Sequence, residues 1–221
     1  MKVVCLMSGG LDSTVAAALA IRKYGVDQVA SLHISYGQQT SSRELEAWLD
    51  VCSALRIPHS NRFHTTLHLE RSFSELTKRN GDVRYDPTKR IPQTYVPFRN
   101  GVAASVAAHY ADGLGADLVV IGVHEADSRY PDCNRQFVMS LSRAFSEGTA
   151  HKVQLWAPLI DYTKAEIVQV GVEIGAPLEL TWSCYGDNRL ACGECESCIT
   201  RYRAFKKAGY IDPIRYRRVP E

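Results

Sequence analysis

Short apolar runs alternate with helix-length segments along most of this chain, and no other feature of the sequence restricts its fold so closely. Residues 2–7, Lys-Val-Val-Cys-Leu-Met, are apolar and β-branched and pass directly into Ser8-Gly9-Gly10 and a helical stretch from about Thr14 to Tyr24. A second strand over 29–34 leads through Ser35-Tyr36-Gly37-Gln38 into a helix that begins near Arg43 and reaches about Leu55. After a short run over 62–64 comes a polar segment of roughly thirty residues, punctuated by Asn80-Gly81, Asp86-Pro87, Ile91-Pro92 and Val96-Pro97; loops of that length tend to be functional or mobile. The pattern resumes with an Ala-rich buried helix over 100–111 and a uniformly apolar strand over 117–123, suited to a parallel strand covered on both faces. A helix over 135–147, a strand over 153–156 and a helix over 163–174 follow, the last opening on a Thr163/Glu166 capping-box spacing. The expected fold is α/β, with right-handed crossovers onto a central parallel sheet and ligands at the carboxyl ends of its strands.

The 221 residues suit one large domain or one with a small appendage, and the composition shift past Pro177 divides the chain into 1–177 and a C-terminal subdomain, 178–221. With 45% hydrophobic and 23% charged residues, disorder and fibrous repeats are excluded. Lys and Arg exceed Asp and Glu by only two, so no excess of positive charge advertises stable nucleic-acid binding. No signal peptide or membrane anchor is visible, and the expected location is cytoplasmic. Of the seven cysteines, Cys184, Cys192, Cys195 and Cys198 crowd together while Cys5, Cys52 and Cys133 stand apart, a distribution that suggests metal in a reducing compartment rather than disulfides.

Ser8-Gly9-Gly10-Leu11-Asp12-Ser13 lies between the first strand and the first helix, where unpaired backbone N–H groups and the helix dipole favour an anion. The two glycines let a phosphate approach the main chain, and Ser8, Ser13 and Thr14 add hydroxyl donors. Asp12 would repel a phosphate unless a divalent cation bridged them, which points to Mg2+. The string fits neither Gly-x-x-x-x-Gly-Lys-Ser/Thr nor Gly-x-Gly-x-x-Gly. In the cysteine cluster, four soft ligands suit a tetrahedral, structural Zn2+ with no open position. Iron–sulfur ligation competes, because Cys-x2-Cys-x2-Cys also opens a ferredoxin run, although no fourth cysteine follows at the right distance and there is no Cys-Pro.

The loop resembles the Ser-Gly-Gly-x-Asp-Ser signature of the ATP pyrophosphatase superfamily. With Tyr36-Gly37-Gln38, Tyr95-Val96-Pro97-Phe98-Arg99-Asn100, Tyr130-Pro131-Asp132-Cys133 and Thr181-Trp182-Ser183-Cys184-Tyr185, leading into Cys192-Gly193-x-Cys195-x2-Cys198-x2-Arg201, the chain resembles the 7-cyano-7-deazaguanine synthase family nearly end to end. It departs from the common family pattern at Leu11, Gln39, Phe98 and Ser128-Arg129. The resemblance implies the Rossmann-like, adenine nucleotide α-hydrolase-like version of the α/β fold with a zinc-binding C-terminal subdomain. It further implies a ligase that uses ATP and ammonia to turn 7-carboxy-7-deazaguanine into the nitrile through adenylated acid and amide, releasing AMP and pyrophosphate.

On this resemblance Met7, Ser8, Gly9, Gly10, Leu11, Asp12, Ser13, Thr14 and His33 are the candidates for binding the nucleotide, with His33 better suited to a core hydrogen bond. Asp12, Ser13, Arg99 and Lys164 are the catalytic candidates, the two cations placed to neutralise charge at the α phosphate. Tyr95, Arg99, Asn100, Asp127, Tyr130 and Asp132 are candidates for the deazaguanine, whose guanine-like edge invites a carboxylate. A homodimer working on small molecules is implied. The alternatives are a paralogue that joins the activated deazapurine to a protein amine, and a transfer RNA-modifying enzyme that adenylates a base.

Overall fold

The computed structural model describes residues 1–126 and 129–220. A five-stranded sheet in the order β3-β2-β1-β4-β5 forms its centre, with every pair parallel. The strands are β1 (Val3–Leu6), β2 (Val29–Ser35), β3 (Arg62–Thr66), β4 (Leu118–Val120) and β5 (Gln154–Trp156). Six helices accompany them: α1 (Leu11–Tyr24), α2 (Ser41–Ala54), α3 (Arg99–Gly113), α4 (Arg135–Gly148), α5 (Lys164–Glu173) and α6 (Glu196–Ala208). The α/β class and the parallel sheet are as the alternation predicts.

Successive residues of β1 point to opposite faces, and this divides the core in two. Val3, Cys5 and Met7 pack with α1, α2 and α5, and with Ala204 and Phe205 of α6. Val4 packs instead with Ala30 and Leu32 of β2, the alanines of α3, and Val138 and Phe145 of α4. Strands β2 and β3 build outward from one side of β1, and β4 and β5 from the other, so the chain reverses direction of growth between β1 and β4. A crevice opens at such a point, outside the carboxyl ends of the strands.

Two boundaries and one whole helix differ from the sequence-based expectation for local reasons. Helix α1 starts at Leu11, because Gly10 is extended and the Thr14 N–H already donates to the Gly10 carbonyl at 3.1 Å. Strand β4 is shorter than its apolar run: after Val120 the chain draws against the start of α1, where a Cβ on Gly122 would lie 2.7 Å from the Asp12 carbonyl carbon. Helix α6, which the sequence pattern did not assign, is capped by the Cys195 sulfur accepting the Cys198 N–H. The long polar segment contains no named strand or α-helix, yet it is anchored: Leu76, Thr77, Thr94 and Val96 are buried, and Val83 packs among Cys184, Cys195 and Cys198.

Gly9 has φ +79°, and a Cβ there would lie 2.6 Å from the Glu44 carbonyl oxygen and 2.8 Å from the Trp48 nitrogen. Gly113, at the end of α3, has nothing within 4 Å of the equivalent position. Gly9→Ala is therefore expected to lower stability by about 1–3 kcal/mol. Gly113→Ala should raise it by about 0.4–1 kcal/mol. Urea denaturation of both variants checks the pair, and shifts of the same sign would contradict the assignment of strain to Gly9.

Candidate active site

The loop between β1 and α1 is held from within by its own hydroxyls. Ser13 Oγ accepts the Ser8 N–H at 3.2 Å, donates to the Gly10 carbonyl at 3.1 Å and lies 3.2 Å from Ser8 Oγ, while Thr14 Oγ1 donates to the same carbonyl at 2.9 Å. The loop is also held from outside, by the Trp182 N–H donating to the Gly9 carbonyl at 2.9 Å. No side chain caps α1, so the N–H groups of its first turn have no intrahelical acceptor and face the crevice with the positive end of the helix dipole.

A cavity of about 220 Å³ fills the crevice and collects most of the predicted residues: Met7, Ser8, Gly10, Leu11, Asp12 and Ser13 from the loop, Arg99 and Asn100 from the start of α3, and Lys164 from the start of α5. The Lys164 ammonium donates to both Asp12 carboxylate oxygens, 152 residues apart in sequence. The Thr163–Glu166 capping box fixes the helix end that carries Lys164. Arg99 donates to the Tyr36 hydroxyl at 2.9 Å and its guanidinium lies 5.6 Å from that ring's centre.

Other predicted residues sit elsewhere. Gly9 is turned under α2, and Thr14 is buried beneath the loop. His33 is fully buried, stacked on Trp48 at 5.4 Å and hydrogen-bonded through Nδ1 to the Met7 carbonyl at 3.0 Å, so it braces the end of β1 without lining the cavity. The Asp132 carboxylate is buried and accepts the Asn100 N–H at 2.8 Å, which satisfies the first turn of α3. Tyr95 accepts the Phe98 N–H at 3.1 Å, and Tyr130 donates to Glu196 at 3.3 Å, the two rings 6.0 Å apart. None of Asp132, Tyr95 and Tyr130 is part of the cavity lining. Asp127 lies outside the described residues.

The cavity also gathers residues to which the sequence reading gave no role: Glu44, Tyr36, Trp182, Ser183, Tyr185 and Gly122. Most lie in motifs already quoted, but nothing in the spacing marks Glu44, which arrives from the first turn of α2. Its carboxylate accepts Gln38 Nε2 and Thr40 Oγ1, each at 2.8 Å. Burial pushes its pKa up against the pull of those hydrogen bonds. Burial likewise pushes the Tyr36 hydroxyl up to about 12 and Tyr185 well above its ordinary range. Arg99 thus faces neutral phenols and stays available for an anion. The arrangement can hold a polyphosphate on uncapped N–H groups and stabilise negative charge developing between Arg99 and Lys164.

At the far side of the Thr181–Tyr185 segment, the sulfurs of Cys184, Cys192, Cys195 and Cys198 all lie within 4.8 Å of one another. Cys192 and Cys198 are 3.9 Å apart, close to the roughly 3.8 Å edge of a tetrahedron with metal–sulfur bonds of about 2.3 Å. Backbone N–H groups of Gly186 and Cys192 point at the Cys184 sulfur at 3.4 and 3.3 Å, and those of Glu194 and Cys195 point at the Cys192 sulfur at 3.4 Å each. Such donors stabilise thiolates, so the donor set fits a four-coordinate metal. By contrast Cys5 and Cys52 are buried in the core, and desolvation raises both thiols out of the reactive range.

Residues 2–209 match the sequence profile of the family described as queuosine biosynthesis protein QueC. A 7-cyano-7-deazaguanine synthase of Koribacter versatilis is 43% identical over 220 residues, covering 97% of this chain and 93% of that protein. Another from Acidobacterium capsulatum is 44% identical over 224 residues, covering 97% and 95%. Among solved structures the chain is similar to a predicted subunit of tRNA methyltransferase from Methanocaldococcus jannaschii, at 17% identity and TM-score 0.46, with 96% of this chain and 90% of that one covered.

Burial brings the His33 pKa down from 6.5 to about 4, opposed by its bond to the Met7 carbonyl. Between those values the unfolded chain binds a proton that the folded chain does not, so stability falls as pH drops through the window, by on the order of 3 kcal/mol in all. His33→Gln is expected to be less stable near neutrality and to lose this part of the pH dependence. Urea unfolding at about pH 7 and about pH 4.5 checks it, and an unchanged slope would contradict it.

Proposed function

The chain belongs to the queuosine biosynthesis protein QueC family, and from that premise we propose which of its residues carry out the ligase reaction by which 7-cyano-7-deazaguanine, a queuosine precursor, is made. The uncapped start of α1, Asp12, Lys164 and Arg99 meet in one cavity, and this convergence carries the assignment.

Ser8, Gly10, Leu11, Asp12 and Ser13 receive the β and γ phosphates of ATP on hydroxyls and backbone N–H groups, with Met7 at the end of β1 fixing the loop's entry. Asp12 would hold Mg2+, which supplies charge neutralisation between carboxylate and phosphates. A carboxylate is a poor electrophile. Its oxygen attacks the α phosphate and expels pyrophosphate, giving the acyl adenylate; ammonia then displaces AMP to form the amide and releases a proton. A second ATP adenylates the amide oxygen, and loss of AMP and a proton leaves the nitrile. Both rounds need the same stabilisation of a pentavalent phosphorus, which falls to Arg99 and Lys164. The deazaguanine is assigned to the side bounded by Tyr95, Asn100, Tyr130 and Asp132, and Asp127, which lies outside the described residues, is proposed as a carboxylate for its guanine-like edge. Asp132 is already committed to the Asn100 N–H, so its part is to set the start of α3.

Zn2+ would be held by Cys184, Cys192, Cys195 and Cys198 as a structural ion of the 178–221 segment, because four thiolates leave no position for water. The enzyme is proposed to act in the cytoplasm as a homodimer on small molecules, without stable nucleic-acid binding. A net charge of +2 supports this last point, and none of the described helices is long and apolar enough to cross a membrane.

Incubation with 7-carboxy-7-deazaguanine, ammonium and ATP is expected to yield the nitrile, AMP and pyrophosphate by mass spectrometry; ADP with orthophosphate would refute the assignment. Asp12→Asn should lower turnover by about a hundredfold or more, and near-normal turnover would remove Asp12 from the site. Cys192→Ala is expected to purify metal-depleted and poorly folded, as metal analysis and circular dichroism would show.

A further inference from the structure

Arg201 has no role in the chemistry, yet its side chain is completely buried, as is nearly all of its partner Asp212. A charge removed from water this fully costs far more than a surface pair and persists only where its geometry is satisfied. Arg201 meets that condition with every donor. Nε and Nη2 donate to the Asp212 carboxylate at 2.9–3.1 Å, Nη2 also to the Leu178 carbonyl at 3.1 Å, and Nη1 to Thr181 Oγ1 at 2.6 Å and Ser183 Oγ at 3.3 Å. Tyr216 and the Ile214 N–H complete the hydrogen bonding of Asp212.

The position of this fork in the chain matters. Arg201 sits on α6, whose first turn contains Cys198 and whose cap is Cys195. The strap it grips, Thr181 to Ser183, continues directly into Cys184 and carries Trp182, whose backbone N–H pins the phosphate loop at Gly9. The Trp182 side chain is 6% exposed and lines the cavity, and its indole N–H has no acceptor among the described residues. The strap therefore borders ligand space at Trp182 and holds the loop through the same residue's backbone N–H.

We propose that Arg201 is a positioning residue: it locks the Thr181–Ser183 strap to the helix that carries two of the cluster cysteines, and so makes metal occupancy of the cluster and nucleotide binding at the phosphate loop reinforce each other. The proposal rests on the assignment of ATP to that loop. Coupling between two sites is reciprocal, so ATP must protect the metal as much as the metal improves ATP binding.

The test uses the full zinc-loaded chain, as wild type, Thr181→Val and Arg201→Lys. It measures the Kd for ATP with Mg2+ by calorimetry, the KM for each substrate, and the rate of zinc transfer to a chelating dye with and without saturating ATP. In the wild type ATP slows zinc loss. Both variants are expected to retain zinc but bind ATP about tenfold more weakly, with the KM for the deazaguanine carboxylate within about twofold and the protection by ATP lost. Thr181→Val keeps the Arg201–Asp212 pair buried, so it decides the matter if Arg201→Lys does not fold. Wild-type ATP affinity and protection in the folded variants would overturn the proposal. So would a joint rise in both KM values together with loss of zinc, which would make Arg201 a scaffold residue. Failure of the wild-type protein to bind ATP would instead overturn the nucleotide assignment itself, so the two failures are distinguishable.

Discussion

Everything in this molecule follows from burying β1 in the middle of a parallel sheet. Its neighbours grow outward in opposite directions, so the loops leaving β1 and β4 part above the sheet and open a crevice between them. The loop after β1 must offer bare N–H groups to that crevice, and a side-chain cap on α1 would consume them. The loop therefore takes its rigidity from elsewhere: the ring of hydroxyls formed by Ser8, Ser13 and Thr14, the contact of Gly9 with α2, and the bond from Trp182. Gly122 lets the end of β4 lie against the start of α1 from the other side.

The charges in the crevice are arranged so that none is stranded before a ligand arrives. Lys164 is spent on Asp12, and an isolated carboxylate at the mouth of an electropositive helix is thereby neutralised. Arg99 rests on the neutral hydroxyl of Tyr36. A phosphate can displace that contact without first breaking an ion pair. Entry of a polyanion with its cation also offers Lys164 a further partner, so the pair can open without leaving either group uncompensated.

How much of this is legible in the sequence depends on whether the signal is local. The strand, loop and helix at 2–24 could be read because the glycines, the serines and Asp12 are contiguous, and Thr163 with Glu166 announced the start of α5 from three residues' spacing. The cysteines were readable for the same reason. Helix α6 was not, because its opening residues are also the metal cluster and its long polar face masks the few apolar positions that pack inward, Ala204 and Phe205. Glu44 and Gly122 were invisible, since only the packing of α2 and the end of β4 against the loop brings them to the site. His33 illustrates the converse: a histidine at the end of an apolar strand has a ligand's credentials, and its surroundings instead make it a neutral brace for Met7.

The long polar segment lends the cavity only Leu67 and Leu69, and the rest of it is fastened to the chain around the cysteine cluster. Its only regular element among the described residues is the 3-10 turn Arg71–Phe73, so hydrogen bonds from outside the segment help to tie it down. Arg129, a position where the chain departs from the common family pattern, supplies donors: its guanidinium holds the Lys89 carbonyl at 2.7 Å, reaches the Asp86 carbonyl at 3.4 Å, and forms an ion pair with Glu196. Glu196 also accepts the Tyr130 hydroxyl, and it is the first residue of α6, adjacent to Cys195. On the other flank Tyr85 donates its N–H to the Glu194 carbonyl. The Glu196 carboxylate thus fastens the chain following β4, and Arg129 passes that anchorage on to the long segment. A single bulky cation serves here because its several donors can engage two backbone carbonyls and a carboxylate at once.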